Sequence, residues 1–233
     1  MAARSNIIIL SGGGLKSAVL GARCLADSNV IFVHINYGQR SAPAEVRALR
    51  SLATHFQTTP PLELESPHAL QIQQRLSGAT EPRGAAAPNG VVGTHALSPS
   101  ALRGLFPVLL TMGAQAAWRI GAATLLTGVS RFTDGGHLGL PGPEANPDYL
   151  REYIQDFTIS TETFGLRNPL TVEAPLVDCR YDDFAKLAVH MEIPLEFTWS
   201  CLGAGQQPCG LCLGCTTRDR ALATAGAPQL VAS

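Results

Sequence analysis

The sequence Ile-Ile-Ile-Leu-Ser-Gly-Gly-Gly-Leu-Lys-Ser occupies residues 7–17. Its four leading apolar residues form a continuous run, which is typical of a strand buried on both faces of a parallel sheet. The glycines at 12–14 let the backbone turn sharply and bring its N–H groups close to an anion. A helical pattern begins at Leu15, and the N-terminus of a helix favours a phosphate. The stretch therefore predicts a strand, a glycine-rich turn and a helix that together bind an anion.

The glycine spacing excludes two common phosphate-binding loops. A Walker P-loop would need glycine at position 15, which is Leu15, and a dinucleotide-binding fingerprint would need glycine near position 17, which is Ser17. The remaining interpretations are a different nucleotide loop and a tight turn that binds nothing.

The rest of the chain predicts an α/β fold. Buried strands are indicated at residues 30–35 and 124–129, with a further strand-like stretch at 170–176. Helical patterns occur at residues 18–27, 43–56, 101–119, 148–161 and 181–191. Glycine-rich and proline-rich stretches at 78–99 and 130–147 predict irregular loops. This alternation predicts a doubly wound parallel sheet with helices on both faces, whose ligands bind at the carboxyl ends of the strands.

Composition narrows the class of protein. The chain has 233 residues, of which 45% are hydrophobic and 15% charged, so it can bury a core and differs from a disordered chain. Its formal net charge of −1 gives no overall basic field for nucleic acid. No apolar run approaches the roughly 18 residues of a membrane span, and residues 1–6 show no signal-peptide pattern. We therefore expect a cytoplasmic protein that does not enter a membrane.

Four cysteines crowded near the C-terminus predict a metal site. They are Cys201, Cys209, Cys212 and Cys215, whereas a disulfide framework would be spread along the chain. Four thiolates satisfy a tetrahedral Zn²⁺ and leave no position for water, so a structural zinc is favoured. An iron–sulfur cluster and four reduced thiols are the alternatives. Cys24 and Cys179 are interpreted as small buried residues.

Several motifs occur in a distinctive order along the chain. They are Ser11-Gly-Gly13, His34-Ile-Asn-Tyr-Gly-Gln-Arg40, Thr127-Gly-Val129, Pro147-Asp148, Glu173-Ala-Pro-Leu176, Trp199-Ser-Cys201, the spaced cysteines and Arg218. The first resembles the pyrophosphate loop, Ser-Gly-Gly-x-Asp-Ser, of the N-type ATP pyrophosphatases (the PP-loop superfamily). Together the motifs resemble the 7-cyano-7-deazaguanine synthases, the QueC or ExsB family, and the resemblance covers nearly the whole chain.

The resemblance implies an ATP-dependent carbon–nitrogen ligase of queuosine biosynthesis. Such enzymes adenylate 7-carboxy-7-deazaguanine with release of pyrophosphate, form its amide with ammonia, and dehydrate the amide after a second activation. The product is the nitrile 7-cyano-7-deazaguanine, called preQ0. The resemblance also implies Mg²⁺, a structural zinc and a homodimer, while a protein partner is a further hypothesis. Residues 1–195 would form the PP-loop domain and residues 196–233 a small zinc-binding segment.

The resemblance also assigns roles to residues. Those implied to bind ATP are Ser11, Gly12, Gly13, Gly14, Ser17, Tyr37, Gly38, Gln39, Arg40 and Gly128. Lys16, Ser17 and Arg103 are implied to act in catalysis. Asp134 and Asp148 are implied to recognise the deazapurine, because a carboxylate accepts hydrogen bonds from its ring N–H and amino groups.

Four departures from the family pattern leave alternatives open. The loop Asp is replaced by Lys16 in a loop one residue longer, and Ser41, Gly104 and Tyr181 stand where the family has His, Asn and Lys. Lys16 could replace metal charge by pairing with a phosphate. The alternatives are an enzyme that acts on another carboxylate or joins a deazapurine to a macromolecule, and a non-catalytic paralogue that binds a nucleotide or a partner.

Overall fold

The computed structural model describes residues 4–66, 105–130, 147–165 and 169–227. Its strands form one parallel five-stranded sheet with the order β3-β2-β1-β4-β5. The strands are β1 (Ser5–Leu10), β2 (Ser28–Asn36), β3 (Leu62–Glu65), β4 (Thr124–Thr127) and β5 (Thr171–Glu173). The helices are α1 (Leu15–Cys24), α2 (Ala42–His55), α3 (Leu105–Ile120), α4 (Pro147–Phe164), α5 (Tyr181–His190) and α6 (Leu213–Thr224), with a 3-10 turn at Leu195–Phe197.

The apolar run of β1 is buried because helices cover both faces of the sheet. Ile8 packs into a core formed with α3 and α4, whereas Ile9 packs into a second core formed with α1, α2, α5 and α6. Both isoleucines are completely buried. Alternate residues of one strand therefore serve two cores, which explains the absence of polar alternation in β1.

The predicted doubly wound α/β fold is confirmed. From β1 the chain proceeds outward through β2 to β3, then crosses to β4 and β5 on the other side. β1 therefore pairs with both β2 and β4, in registers such as Ile8 with Ile31 and Ile8 with Leu125. This topology creates a crevice at the carboxyl ends of β1 and β4, because the chain continues from β1 towards one edge of the sheet and from β4 towards the other edge.

Individual elements differ from the sequence-based boundaries. The first helix starts at Leu15, where the helical pattern begins, and ends at Cys24, before the predicted end at residue 27. β4 and β5 are shorter than the predicted strands. The structure adds β3 and α6, which the sequence did not predict. α6 packs on α5, and its Ala221 and Leu222 belong to the same core as α1. The division into segments at residue 195 stays a prediction.

Within the described ranges, no helix is both long enough and apolar enough to span a membrane. The loop predicted at 78–99 lies outside the described residues, as do most of the loop at 130–147 and the first residues of the helix predicted at 101–119.

Candidate functional site

A cavity of about 270 Å³ opens at the carboxyl ends of β1, β2 and β4. The glycine-rich loop and the first turn of α1 form its floor, and the loop after β2 forms one side. An apolar wall consists of Leu10, Ile35, Phe106, Leu109 and Val129. Polar backbone groups beside an apolar wall suit a ligand that combines a charged group with an aromatic base.

The glycine-rich loop holds its backbone close to α2. Gly13 has φ +72°, and a Cβ at this residue would lie 2.8 Å from the backbone oxygen of Glu45. The Gly13 N–H donates to Oγ of Ser11 at 3.2 Å. Gly14 is the N-cap of α1, where no side chain caps the helix and the first turn has no acidic residue. The N-terminus of α1 therefore faces the cavity without a side-chain cap, as an anion site requires.

Lys16 brings an amine into the cavity from the first turn of α1. Its Nζ donates to Oγ of Ser130 at 3.3 Å and lies 5.7 Å from the centroid of the Phe184 ring. The side chain passes over Gly128, where a Cβ would lie 3.2 Å from Cβ of Lys16. Burial lowers the pKa of Lys16 to about 7, because removal from water disfavours the charged amine. An arriving anion would favour the charged form.

The loop after β2 is held by a hydrogen-bond network centred on Glu45. Oε2 of Glu45 lies 2.8 Å from Nε2 of His34 and accepts from Nε2 of Gln39 at 3.0 Å. Oε1 accepts from Oγ of Ser41 at 2.5 Å. Gln39 also accepts from the Tyr37 N–H at 2.8 Å. The network fixes the backbone of the predicted adenosine loop against α2.

The network also assigns the ring proton of His34. The side chain is 1% exposed, and its Nδ1 is buried with no hydrogen-bond partner among the described residues. A proton on Nδ1 would be a buried donor without an acceptor, which is unfavourable. A ring with its proton on Nε2 donates to Glu45 and leaves Nδ1 as the unpaired acceptor. Burial, and after it the charge of Glu45, raises the pKa of Tyr37, so the phenol stays neutral.

The opposite side of the cavity joins the glycine-rich loop to the cysteine segment. The Trp199 N–H donates to the Gly13 carbonyl at 2.8 Å, and the Trp199 indole N–H donates to the Cys201 carbonyl at 2.8 Å. Tyr181 and Ser200 also line the cavity, with their hydroxyl oxygens 3.3 Å apart. Burial raises the pKa of Tyr181, which keeps this second phenol neutral.

The four predicted cysteines come together in space. Their sulfur atoms all lie within 4.8 Å of one another. Sγ of Cys212 is 3.9 Å from Sγ of Cys201 and 3.6 Å from Sγ of Cys215. A tetrahedral zinc with bonds of about 2.3 Å would separate its sulfurs by about 3.8 Å. The donor set and its spacing therefore fit a four-coordinate metal ion.

Backbone N–H groups donate hydrogen bonds to sulfur atoms of this cysteine cluster, which stabilises thiolates. Sγ of Cys201 accepts from the N–H groups of Gly203 and Cys209 at 3.3 and 3.4 Å, and Sγ of Cys212 accepts from the Leu202 N–H at 3.4 Å. Hydrogen bonding with Cys215 lowers the pKa of Cys212 to about 4, and the same contact raises the pKa of Cys215. One sulfur therefore gives up its proton readily, as metal binding requires.

A single protein-family model spans both the cavity residues and the cysteine cluster. The family model described as Queuosine biosynthesis protein QueC matches residues 5–226, from β1 through the cysteine cluster to the end of α6. The chain belongs to the QueC family. The resemblance inferred from the motifs is thus confirmed over almost the whole chain.

Relatives of this QueC-family chain have similar lengths. A 7-cyano-7-deazaguanine synthase of Parasynechococcus marenigrum is 30% identical, with 99% of this chain and 97% of the relative covered. One from Synechococcus sp. (strain CC9902) is 31% identical, with 99% and 97% covered. Among solved structures, U34-tRNA thiolase NcsA from Methanococcus maripaludis, with its 4Fe-4S cluster, gives a TM-score of 0.48 at 10% identity, covering 95% of this chain and 65% of the thiolase.

The structure brings many of the predicted site residues of this QueC-family chain together. The residues that line the cavity are Ser11, Gly12, Gly14, Lys16, Ser17, Tyr37, Gln39 and Gly128. Gly13 shapes the loop from behind, and Gly38 and Arg40 are exposed outside the cavity lining. The roles of all these residues stay predictions.

Three other predicted residues lie elsewhere. Arg103 and Asp134 fall outside the described residues. Asp148 is in the first turn of α4, where its side chain is 77% exposed and its Oδ1 lies 2.6 Å from Nη1 of Arg151. Asp148 is not among the described residues that line the cavity, and its substrate role stays a prediction.

The sequence interpretation missed Glu45, His34 and Trp199 as parts of the cavity. Glu45 had the ordinary pattern of an acidic residue in the first turn of a helix, where it favours the helix dipole. Its position against the glycine-rich loop depends on how α2 packs, which no local pattern reveals. His34 was quoted only as part of a motif, and Trp199 only as the start of the cysteine segment.

Proposed function

We propose that this chain is an ATP-dependent carbon–nitrogen ligase of the 7-cyano-7-deazaguanine synthase type. In this reaction a carboxylate oxygen of 7-carboxy-7-deazaguanine attacks the α-phosphorus of ATP, and pyrophosphate leaves. Ammonia then attacks the acyl carbon, and AMP leaves with loss of a proton, giving the amide. The amide oxygen then attacks the α-phosphorus of a second ATP and releases a second pyrophosphate. Loss of AMP and of the remaining two nitrogen protons gives the nitrile.

The observation that carries this proposal is the convergence of three features on one cavity. The N-terminus of α1 offers N–H groups, Lys16 offers an amine, and the apolar wall offers a surface for a base. In this assignment the N–H groups and Lys16 bind the phosphates. Positive charge placed there stabilises the departing pyrophosphate, and loss of one such group typically lowers the rate by about 10²–10³-fold.

The neutral groups of the cavity would bind and orient the substrates. Tyr37 and Gln39 stand at the end of β2, where the predicted adenosine contacts lie. Tyr181 and Ser200 present hydroxyls on the opposite side, where they can hold a polar group of an acyl acceptor or donor. Mg²⁺, when bound with ATP, would neutralise phosphate charge.

We further propose that Cys201, Cys209, Cys212 and Cys215 hold one structural Zn²⁺. Support comes from the four sulfur ligands and their spacing. Elemental analysis of the purified protein should find about one zinc per chain. Iron with visible absorbance would contradict zinc and favour an iron–sulfur cluster.

The catalytic proposal is tested by pyrophosphate release. Purified protein is incubated with ATP, Mg²⁺ and ammonium, with and without 7-carboxy-7-deazaguanine, and products are identified by mass spectrometry. We expect AMP, pyrophosphate and the amide or nitrile only when the acid is present. ATP binding without pyrophosphate release would overturn the proposal. Release with another carboxylate would favour the related enzyme, and failure with all carboxylates would favour the non-catalytic paralogue.

A further inference from the structure

Glu45 lies directly against the glycine-rich loop. A methyl group added to Gly12 would be 3.8 Å from Cδ and Oε2 of Glu45, and the backbone oxygen of Glu45 approaches Gly13. The Glu45 side chain is 17% exposed and lines the cavity. An acidic group therefore stands beside the backbone predicted to bind phosphate.

The hydrogen bonds to Glu45 leave room for one more partner. An ionised carboxylate has two oxygens with about four acceptor positions. Within the described residues, His34 and Gln39 occupy Oε2, and Ser41 occupies one position on Oε1. The second position on Oε1 is the one that these three donors leave over. The three donors hold the carboxylate in place beside the glycine-rich loop.

An uncompensated carboxylate beside a phosphate site would repel the ligand. A divalent cation between the two groups removes the repulsion, and Mg²⁺ is typically bound through one or two carboxylates together with substrate phosphates and waters. Glu45 lines the cavity and is held by three hydrogen bonds, so it can supply one such carboxylate. We propose that Glu45 is the protein ligand for the Mg²⁺ that accompanies the nucleotide. The proposal rests on the ATP-dependent function above.

The test compares ATP binding with and without metal. Isothermal titration calorimetry measures the affinity of the full chain for a non-hydrolysable ATP analogue in Mg²⁺ and in EDTA. We expect the wild type to bind at least about tenfold more tightly in Mg²⁺. In Glu45→Gln this ratio should fall towards one, while binding in EDTA should equal or exceed that of the wild type, because repulsion is removed. A purely structural role would weaken both affinities together.

Two further variants keep the result interpretable. Glu45→Asp retains the charge and should retain a metal-dependent affinity, even if it binds more weakly. Glu65→Gln removes an exposed acid on β3 and should behave as the wild type. Thermal melting shows whether each variant folds. A Glu45→Gln protein that keeps the full Mg²⁺ dependence would overturn this proposal and leave the ATP-dependent function standing. A wild type that binds the analogue in neither buffer would overturn the proposed function itself, and this proposal with it.

Discussion

Lys16 should act as a charge whose presence depends on pH near neutrality. Burial lowers its pKa from 10.5 to about 7. A group with that pKa is roughly 75% protonated at pH 6.5 and about 3% protonated at pH 8.5. If the protonated amine pairs with a phosphate, ATP affinity should decrease as pH rises over this interval, by up to about 25-fold, or ~1.9 kcal/mol. Binding above pH 7 should therefore take up a proton.

The pKa can be measured directly because the chain has only two lysines, Lys16 and Lys186. Nuclear magnetic resonance of ¹³C-labelled lysine gives one side-chain signal for each, and the exposed Lys186, changed to Met, provides the assignment. Calorimetry in buffers of different ionisation enthalpy then counts the protons taken up on ATP binding. We expect the Lys16 signal to titrate near pH 7 in the free protein and to shift to higher pH with ATP.

Substitutions distinguish the effect of Lys16 ionisation on ATP affinity from the effect of ATP's own ionisation. Lys16→Met keeps the length of the side chain and removes the amine, so affinity should be low and nearly independent of pH. Lys16→Arg keeps a charge at every pH used, so affinity should stay high across the interval. Lys186→Met is the matched control and should retain the wild-type profile. A Lys16 signal that titrates near pH 10, or an ATP affinity that Lys16→Met does not change, would contradict this role of Lys16.

Three other predictions concern stability. Between pH 7 and the ordinary lysine pKa, the unfolded chain binds more protons than the folded chain, so the contribution of Lys16 to the free energy of unfolding should rise by up to about 1.4 kcal/mol per pH unit. Urea unfolding of Lys16→Met should therefore show a smaller change of this free energy with pH. Gly13→Ala should destabilise the protein by about 1–3 kcal/mol because the residue has a positive φ and too little space, whereas Gly12→Ala has room and should melt like the wild type. Cys212→Ser should lose the metal and expose the C-terminal segment to proteolysis, while the same change at Cys24, outside the cluster, should not; equal metal content in both variants would contradict the four-cysteine site.

The strongest local patterns predicted the fold best. The apolar run of β1 and the glycines after it predicted a buried strand, a tight turn and a helix, because each property depends on neighbouring residues. β3 was missed because its Leu-Glu-Leu-Glu sequence has only four residues and lacks the β-branched and aromatic residues that favour strands. α6 was missed because glycine and cysteine interrupt its first turn, and it lacks a clear apolar face.

The metal cluster and the cavity differ in how much the sequence could predict. Spacing alone grouped the four cysteines, since few chemical roles require four thiols so close together. The cavity depends on contacts between distant segments, such as Glu45 with Gly12 and Trp199 with Gly13. These contacts follow from how α2 and the cysteine segment pack around β1. A single sequence therefore indicates the loop but not the residues that surround it.

The packing of the cysteine segment connects metal binding to the cavity. A Cβ at Gly214, between two cysteines, would lie 1.9 Å from the backbone oxygen of Ser200, so the start of α6 closely contacts one wall of the cavity. Arg218 of α6 donates to the carbonyls of Thr198 and Leu195 at 2.9 and 2.6 Å and holds the preceding segment in place. Trp199, between these contacts, donates to the glycine-rich loop. No cysteine is among the described residues that line the cavity, yet metal loss would release the segment that supports the loop. Removing the metal should therefore weaken nucleotide binding through this support, without any direct contact between metal and nucleotide.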